Sequence, residues 1–328
     1  MSNRRRTARL IAACFCCALP MLVVGCAKQG ATDNPSPETQ FRAVATTGPV
    51  GDAVRWIVGD RIEVSVMMGP GIDPHLYRPL PSDLKKLESA DLIFYNGLHL
   101  EGRLSDVLET MSEKKFVVSL TAGLVASEDP RLLTPEDYAG LHDPHVWHDV
   151  ALWSDCIQHA CDALCEFDAD GAELYRENTA EFRKHLASLH EEVTGSLSAV
   201  PEEARVMVTA HDAFAYYGAA YGIETVGLKG ISTEDEVDLG QMDAVAEMLV
   251  ERNAPCVFIE SAVLPQIVEA LVESCASRGH TVAIGGELYA DALGPSGTLA
   301  EKYMGMIRAN TATIAAGLSS GVTEKASP

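Results

Sequence analysis

From residue 41 onward, short runs of apolar and β-branched residues alternate with stretches of helical pattern. The runs predict eight strands, at residues 41–46, 61–67, 91–95, 115–120, 205–209, 223–228, 256–260 and 280–284. Helical segments lie near residues 49–58, 81–89, 100–113, 212–221, 240–252, 264–278 and 297–317. This alternation is typical of an α/β protein with parallel sheets and crossover helices.

The strands fall into two groups of four, and two helical segments, residues 150–167 and 171–198, separate the groups. The second segment would form a helix about 40 Å long, and Pro201 ends it. Because no Gly/Ser-rich hinge intervenes, we predict two pseudo-symmetric lobes, each with a four-stranded, mainly parallel sheet, joined by one long rigid helix. The predicted boundaries are 41–169 for the N-terminal lobe, 170–200 for the bridging helix and 201–328 for the C-terminal lobe.

The first 26 residues have a different pattern. Four arginines between residues 4 and 9 precede an apolar run over residues 10–24, which is the layout of an export signal. The run is shorter than the roughly 20 residues of a membrane-spanning helix. Its end, Leu22-Val23-Val24-Gly25-Cys26, resembles a bacterial lipobox. Residues 1–25 are therefore predicted to be a signal peptide and Cys26 the lipid attachment site; the alternative is a plain secretory signal with Cys26 incidental.

Residues 26–40 are rich in Gly, Pro, Ser, Asn and Thr, a composition typical of a flexible tether. The predicted mature protein is exported and lipid-anchored at the cell membrane, in the periplasm or on the outer surface. Loss of the signal removes four arginines and no acid, which changes the formal charge from −22 to −26. Nucleic acid is not an expected partner, because phosphate contacts need clustered Lys and Arg.

Five cysteines remain beyond the predicted anchor: Cys156, Cys161, Cys165, Cys256 and Cys275. An odd number without a C-x-x-C pair argues against a zinc ribbon. Cys161 and Cys165 lie one helical turn apart and are expected to be packed thiols. The sequence leaves the presence of a disulfide open.

Histidines and acids concentrate where predicted strands end, and in open α/β sheets ligands bind outside the carboxyl ends of the strands. The segments are 69–77 with His75, 142–149 with His142, His145 and His148, 211–214 with His211, and 285–291 with Glu287 and Asp291. Imidazole and carboxylate suit zinc and its first-row neighbours. Burying such groups without a cation would leave polar atoms unsatisfied, so we predict a metal site between the lobes.

Several of these motifs together resemble the metal-binding proteins of zinc and manganese ABC importers, the TroA-like group, over residues 41–317. The runs are Gly71-Ile72-Asp73-Pro74-His75, 91–101, Asp143-Pro144-His145-Val146-Trp147, Thr209-Ala210-His211-Asp212-Ala213-Phe214 and 285–291. The resemblance implies His75, His145, His211 and Asp291 as metal ligands and Zn²⁺ or Mn²⁺ as the transported ligand. It also implies a non-enzymatic, monomeric binding protein whose ABC permease and ATPase are separate chains.

One feature departs from the zinc-specific branch of that group, which often carries a long His-rich loop after the fourth strand. Residues 122–141 are short and acidic here, and the histidine that follows is His142. The donor set favours zinc, because manganese prefers more oxygen ligands. The other branch has a glutamate in place of His211, which would favour manganese. Zinc is preferred here, and binding of manganese stays open.

The neighbours of the proposed ligands have competing interpretations. His142, His145 and His148 recur every three residues, but Pro144 argues against a helix, so only His145 is retained. Glu260 and Glu287 could each orient a ligating imidazole or serve as a helix cap or salt bridge. Asp212 is as well explained as a helix N-cap as by a role at the metal.

The remaining residues of interest are expected to be structural. Trp147 and Trp153 are predicted to pack the lobes against the bridging helix. Five further histidines lack nearby carboxylates and are assigned to the surface or the core: His99, His159, His185, His190 and His280.

Two other functions compete with transport: an exported zinc metallohydrolase, in which zinc would activate water, and a metal-stabilised surface adhesin lipoprotein. The chain has no H-E-x-x-H or G-x-S-x-G motif, which argues against the hydrolase. It also lacks G-x-x-x-x-G-K-[ST], so it is not itself an ATPase. Capture of zinc or manganese for an importer is the preferred prediction.

Overall fold

The structure is a computed structural model that describes residues 41–136 and 138–324 of the 328-residue chain. The predicted signal peptide, the predicted lipid-attachment residue Cys26 and the predicted tether lie outside the described residues. Within the described ranges, no helix is both long and apolar enough to cross a membrane.

The N-terminal part, residues 41–149, is built on a four-stranded parallel sheet with the strand order β2-β1-β3-β4. Its strands are β1 (Phe41–Ala45), β2 (Ile62–Val66), β3 (Leu92–Tyr95) and β4 (Phe116–Ser119), and its helices are α1 (Gly48–Val58), α2 (Pro81–Ser89), α3 (Leu104–Ser112) and α4 (Ala122–Ala126). The four predicted strands are confirmed to within one residue at each end. The short helix α4 was not predicted, because its five residues are too few for a helical period to be recognised.

The C-terminal part, residues 206–324, also has four strands, but they pair as two separate parallel ladders, β5 with β6 and β7 with β8. The strands are β5 (Val206–His211), β6 (Glu224–Lys229), β7 (Cys256–Glu260) and β8 (Ala283–Leu288), and the helices are α7 (Ala215–Tyr221), α8 (Leu239–Arg252), α9 (Gln266–Ser277) and α10 (Tyr303–Glu324). The strand direction is as predicted, whereas one continuous four-stranded sheet is not formed.

The break falls between β5 and β7, which contact each other without a backbone ladder. At the end of β5 the backbone N–H of His211 donates to the side chain of Glu260, at 2.9 Å, rather than to a carbonyl of β7. A side-chain acceptor therefore replaces the ladder beside the candidate site.

Two helices connect the parts: α5 (Val150–Phe167) and the 27-residue α6 (Ala172–Ser198). Asp149 begins α5 by accepting the N–H groups of Ala151 and Leu152, as an N-cap does. At 1.5 Å per residue α6 is about 40 Å long. It contacts α1 in the N-terminal part and both α7 and α10 in the C-terminal part, so the long predicted helix is confirmed.

Two boundaries near the end of the chain differ from the prediction. Strand β8 begins at Ala283 and helix α10 at Tyr303, later than the predicted 280 and 297. An irregular segment, residues 289–302, lies between them and contains one 3₁₀ turn. This segment carries Asp291.

One apolar cluster runs through both parts of the molecule. It includes Phe94 and Trp147 from the N-terminal part, Phe182 from α6, and Phe214 and Ile307 from the C-terminal part. Exposing a fully buried large side chain costs about 1.5–3 kcal/mol. Wide separation of the two parts is therefore unfavourable.

A second apolar cluster lies within the C-terminal part and includes Val208, Leu249, Val257 and Leu271. The five cysteines of the described ranges are free thiols; all are buried except Cys165, which is partly exposed.

Candidate metal centre

Four side chains from four distant segments meet at one buried point: His75, His145, His211 and Asp291. The potential ligand atoms all lie within 4.8 Å of one another. The His75 and His145 Nε2 atoms are 3.3 Å apart. Asp291 Oδ1 is 3.4 Å from His145 Nε2, and Oδ2 is 3.3 Å from His211 Nε2 and 3.7 Å from His75 Nε2.

These separations suit a central cation. Donors placed about 2.0 Å from a tetrahedral zinc ion lie roughly 3.3 Å from one another. Among the described residues, both carboxylate oxygens of Asp291 and Nε2 of His211 are buried without a hydrogen-bond partner. Leaving such groups unsatisfied is costly, and one cation at the centre would satisfy them together. The residues present therefore fit a first-row divalent ion.

His75 is held by the loop that follows β2. Asp73 Oδ1 accepts the backbone N–H groups of His75 at 2.9 Å and Leu76 at 3.4 Å. Gly102 lies against the His75 carbonyl with φ at 47°, and a Cβ there would be 2.6 Å from that oxygen. Burial lowers the pKa of His75 to about 3, so this imidazole is in the neutral form that binds metals.

His145 is held in the same manner by Asp143. Its backbone N–H and its Nδ1 both lie within hydrogen-bond distance of Asp143 Oδ1, at 2.9 and 2.8 Å. Because the carboxylate accepts from Nδ1, Nε2 is the nitrogen directed at the centre, and it offers a lone pair to a metal once it has lost its proton. The prediction of no helix through Pro144 is confirmed, since only a 3₁₀ turn forms, over Val146–His148.

The sequence signal for this arrangement is a repeated triplet. Asp-Pro-His occurs at residues 73–75 and again at 143–145, and in both copies the aspartate accepts the backbone N–H of the histidine two residues later. Such turns are an ordinary property of Asp side chains. No role was predicted for either aspartate from the sequence, although the repeated triplet carries the signal.

A buried glutamate joins two strand ends of the N-terminal sheet to the segment that carries His145. Glu101 is fully buried and accepts hydrogen bonds from Thr46 Oγ1 (2.8 Å) and from the backbone N–H groups of Asn96 (2.7 Å) and Gly97 (3.3 Å). Asn96 Nδ2 in turn donates to the carbonyl of Pro144 at 3.0 Å. The ends of β1 and β3 are thereby linked to the residue that precedes His145.

His211 ends β5 and is oriented by Glu260, which ends β7. Its backbone N–H donates to Glu260 Oε1 at 2.9 Å, and its Nδ1 lies 2.5 Å from Oε2. The orienting role considered for Glu260 is therefore present. Glu287 is exposed, and α7 begins at Ala215 with Phe214 as its N-cap, so the interpretation of Asp212 as the N-cap was wrong.

Asp291 is held through the carbonyl of the preceding residue. The Ala290 oxygen accepts from Trp147 Nε1 at 3.0 Å and lies 3.1 Å from His148 Nε2. The same segment is fixed at its end, where the backbone N–H of Tyr303 donates to Asp52 Oδ2 at 3.0 Å and its hydroxyl donates to the Trp147 carbonyl at 2.8 Å. The N-terminal part therefore positions a ligand that the C-terminal part carries in sequence.

The other histidines of the described ranges lie outside the cluster. His142 Nδ1 is 2.8 Å from Thr134 Oγ1, and the buried His148 packs on Phe214 with ring centroids 4.4 Å apart. His280 Nε2 lies 2.9 Å from the Ala254 carbonyl and His190 Nδ1 lies 3.2 Å from the Tyr221 hydroxyl.

Carboxylates govern the protonation of the two deepest imidazoles. Burial lowers the pKa of His145, but Asp143 and Asp291 outweigh it and raise the pKa to about 9. Burial also lowers the pKa of His211, but Glu260 and Asp291 outweigh this effect and hold the pKa well above its usual value. Burial would raise the pKa of Asp291, yet the three histidines keep it well below its usual value. A divalent ion must therefore displace protons from this site.

Comparisons with known proteins agree with this geometry. Residues 43–317 match the family described as "ZnuA: Zinc-uptake complex component A periplasmic". The manganese-binding lipoprotein MntA of Bacillus subtilis is 37% identical over 292 residues, which cover 89% of this chain and 94% of that protein. The zinc-binding protein TroA of Treponema pallidum is 36% identical over 305 residues, which cover 93% of this chain and 97% of that protein.

The solved structure of the periplasmic zinc-binding protein TroA from Treponema pallidum superposes with a TM-score of 0.81 at 38% sequence identity. The superposition covers 85% of this chain and 99% of that one. By sequence and by fold, this chain belongs to the ZnuA/TroA family of metal-binding, substrate-binding proteins of ABC transporters.

Proposed function

We propose that this protein captures a divalent transition-metal ion, Zn²⁺ or Mn²⁺, through His75, His145, His211 and Asp291 and delivers it to an ABC importer. The observation that carries the proposal is the set of donor separations, 3.3–3.7 Å between the ring nitrogens and carboxylate oxygens that face each other. These values are the spacing that a four-coordinate ion needs. The ion is cargo, and its binding must be reversible.

The donor set favours zinc. Three imidazoles and one carboxylate match zinc chemistry, whereas manganese prefers oxygen-rich sites. Both oxygens of Asp291 face ligand nitrogens, so a carboxylate bound through both atoms would add the fifth donor that manganese can use. The relatives include proteins named for each metal, in agreement with a site that accepts both.

We further propose that the N-terminal and C-terminal parts act as two pseudo-symmetric lobes, residues 41–169 and 201–328, joined by the helix of residues 170–200. Comparable positions support this division, because His75 and His145 come after strands of the first sheet and His211 ends a strand of the second part. The site then lies between the lobes at the carboxyl ends of parallel strands, where such folds bind ligands.

Delivery requires export and a membrane partner. The predicted signal peptide and Cys26 place the protein at the cell membrane through an N-terminal lipid, and relatives such as MntA of Bacillus subtilis are named lipoproteins. The permease and the ATPase would be separate chains that dock with a monomer. The acidic chain, with a formal net charge of −22, offers no basis for nucleic-acid binding.

The rival functions have less support. A metallohydrolase keeps an open coordination position for water, whereas four protein ligands close the shell here, and the family is one of substrate-binding proteins rather than enzymes. No observation on the described residues favours an adhesin over a metal carrier.

Elemental analysis and competitive titration test the proposal. We expect one zinc ion per protein, displaced only by excess manganese, and loss of binding by at least 100-fold in Asp291→Ala. His142→Ala is the matched control, since His142 lies outside the cluster, and it should bind as the parent does. The proposal would be overturned if the parent protein bound neither zinc nor manganese at one ion per chain.

A further inference from the structure

The cargo ion cannot leave the site unless part of the molecule moves. The side chains of His145, His211 and Asp291 are 0% exposed and that of His75 is 2% exposed. His75 is the least buried of the four, and its loop, residues 69–77, carries the exposed apolar side chains of Ile72 at 41% and Leu76 at 50%. The His75 loop is therefore the candidate for the part that moves.

Movement of the whole C-terminal part is opposed by the apolar cluster that crosses the molecule. The loop that follows β6, residues 230–238, contributes no residue to that cluster. Its Glu234, Asp235 and Glu236 are exposed. Two other residues of this loop are buried, Ile231 and Thr233, each only 3% exposed, and Thr233 is the polar one. Its hydroxyl donates to Asp73 Oδ2 at 2.6 Å, across 160 residues of sequence.

Asp73 has two separate tasks, one on each oxygen. Its Oδ1 accepts the N–H groups of His75 and Leu76 and so shapes the His75 loop. Its Oδ2 accepts from Thr233, which belongs to the other part of the molecule. The Thr233 carbonyl is in turn fixed by Lys229 Nζ at 2.6 Å. Opening the Thr233 contact would therefore remove this hydrogen bond between the His75 loop and the C-terminal part without destroying the turn that holds His75.

We propose that Thr233 is a positioning residue that closes the metal site, acting through Asp73 on His75, and that breaking this one hydrogen bond is the first step of metal release. The proposal rests on the proposed function. Thr233 does not touch the ion; it sets how long the ion stays.

Substitution of Thr233 separates this role from a general structural one. Thr233→Val keeps the shape of the side chain and removes the donor, and Thr233→Ser keeps the donor. We expect Zn²⁺ to dissociate about tenfold faster from Thr233→Val, because a hydrogen bond to a charged acceptor is lost, with the association rate changed less than about twofold. Thr233→Ser should restore the slow rate. Stopped-flow mixing of the zinc-loaded proteins with a chelator measures the dissociation rates.

Thr110→Val is the matched control. Thr110 Oγ1 donates to the Asp106 carbonyl at 2.9 Å within α3, a hydrogen bond between residues four apart on an exposed helix. This variant should release zinc at the parent rate. Equal acceleration in Thr110→Val and Thr233→Val, or no rescue by Thr233→Ser, would overturn the proposal.

A second measurement does not depend on metal. In the metal-free protein, amide hydrogen exchange of a peptide that covers residues 70–78 should be faster in Thr233→Val than in the parent, since the loop opens more often. Unchanged exchange and unchanged zinc release together refute the role of Thr233. If the parent binds no metal, the proposed function fails, and the exchange measurement alone decides whether Thr233 holds the His75 loop closed.

Discussion

His211 and Glu260 lie 49 residues apart in sequence and contact each other twice at the ends of adjacent strands. The histidine N–H donates to one carboxylate oxygen at 2.9 Å, and its Nδ1 lies 2.5 Å from the other. Both side chains are 0% exposed. The pair fixes the backbone, the ring orientation and the tautomer of His211 at once, so that Nε2 is directed at Asp291.

Replacing Glu260 by Gln should therefore weaken metal binding. The amide has nearly the same volume, but it removes the charge that stabilises the imidazole proton at Nδ1. Loss of such an orienting carboxylate typically costs 10–100-fold in metal affinity, and we expect a zinc affinity lower by about that factor. Competition with a chromophoric zinc chelator measures the change.

Glu287→Gln is the matched control for this experiment. The substitution makes the same change of charge, but Glu287 is exposed. The Glu287→Gln variant should therefore bind zinc as the parent does. Equal zinc affinities for Glu260→Gln and the parent would show that the pair does not orient His211.

A second prediction concerns the hold on Asp291. His148→Phe keeps a ring beside Phe214 but removes the Nε2 donor that lies 3.1 Å from the Ala290 carbonyl. A single hydrogen bond of this kind contributes about 1 kcal/mol, so we expect roughly fivefold weaker zinc binding. The visible spectrum of bound Co²⁺ should change as well, because the carboxylate ligand shifts.

His148→Gln can place an amide N–H near the same carbonyl and should recover most of the affinity. His142→Gln is the control, since His142 bonds to Thr134 instead. A Co²⁺ spectrum identical to that of the parent in His148→Phe would mean that Trp147 alone holds the carbonyl.

These contacts mark the limit of what the sequence predicts. Strands such as β2 and β7 follow from runs that contain several β-branched residues and are bounded by polar residues, and His75 and His145 follow from their position after strands. Glu260 could not be separated from an ordinary cap, because its partner is 49 residues away. Periodicity also missed the irregular segment before Tyr303, whose shape is set by Trp147, Asp52 and other tertiary contacts.

Gly102 tests how tightly the His75 loop is packed. Gly102→Ala adds a Cβ 2.6 Å from the His75 carbonyl at a φ of 47°, so the loop must move. We expect a stability loss of about 1–3 kcal/mol together with clearly weaker zinc binding. Chemical denaturation and zinc titration measure the two effects.

Gly140→Ala supplies the comparison, because Gly140 has a φ of 77° but, among the described residues other than its chain neighbours, no atom lies within 4 Å of the added Cβ. It carries the backbone strain alone and should retain the zinc affinity of the parent. If both variants lose stability equally and bind zinc equally, the contact between Gly102 and His75 has no role at the site.

The dependence of binding on pH follows from the carboxylates around the histidines. An unperturbed imidazole would lose its proton near pH 6.5, but the pKa of His145 is raised to about 9 by Asp143 and Asp291 against burial, and that of His211 lies well above its usual value. Both rings therefore carry an extra proton in the metal-free protein at neutral pH. Because metal binds only neutral imidazole, the ion must displace these protons.

Competition between protons and the metal ion fixes the direction in which zinc affinity changes with pH. Apparent zinc affinity should rise as pH increases from 6 towards about 9, where His145 loses its proton, and should fall steadily as pH decreases. Titration calorimetry at pH 7 in buffers of different ionisation enthalpy should detect net release of protons on binding. The lowered pKa of His75, about 3, means that this ring contributes none of them. A binding enthalpy independent of the buffer would show that His145 and His211 are already neutral, and that Asp143 and Glu260 orient these rings without holding protons on them.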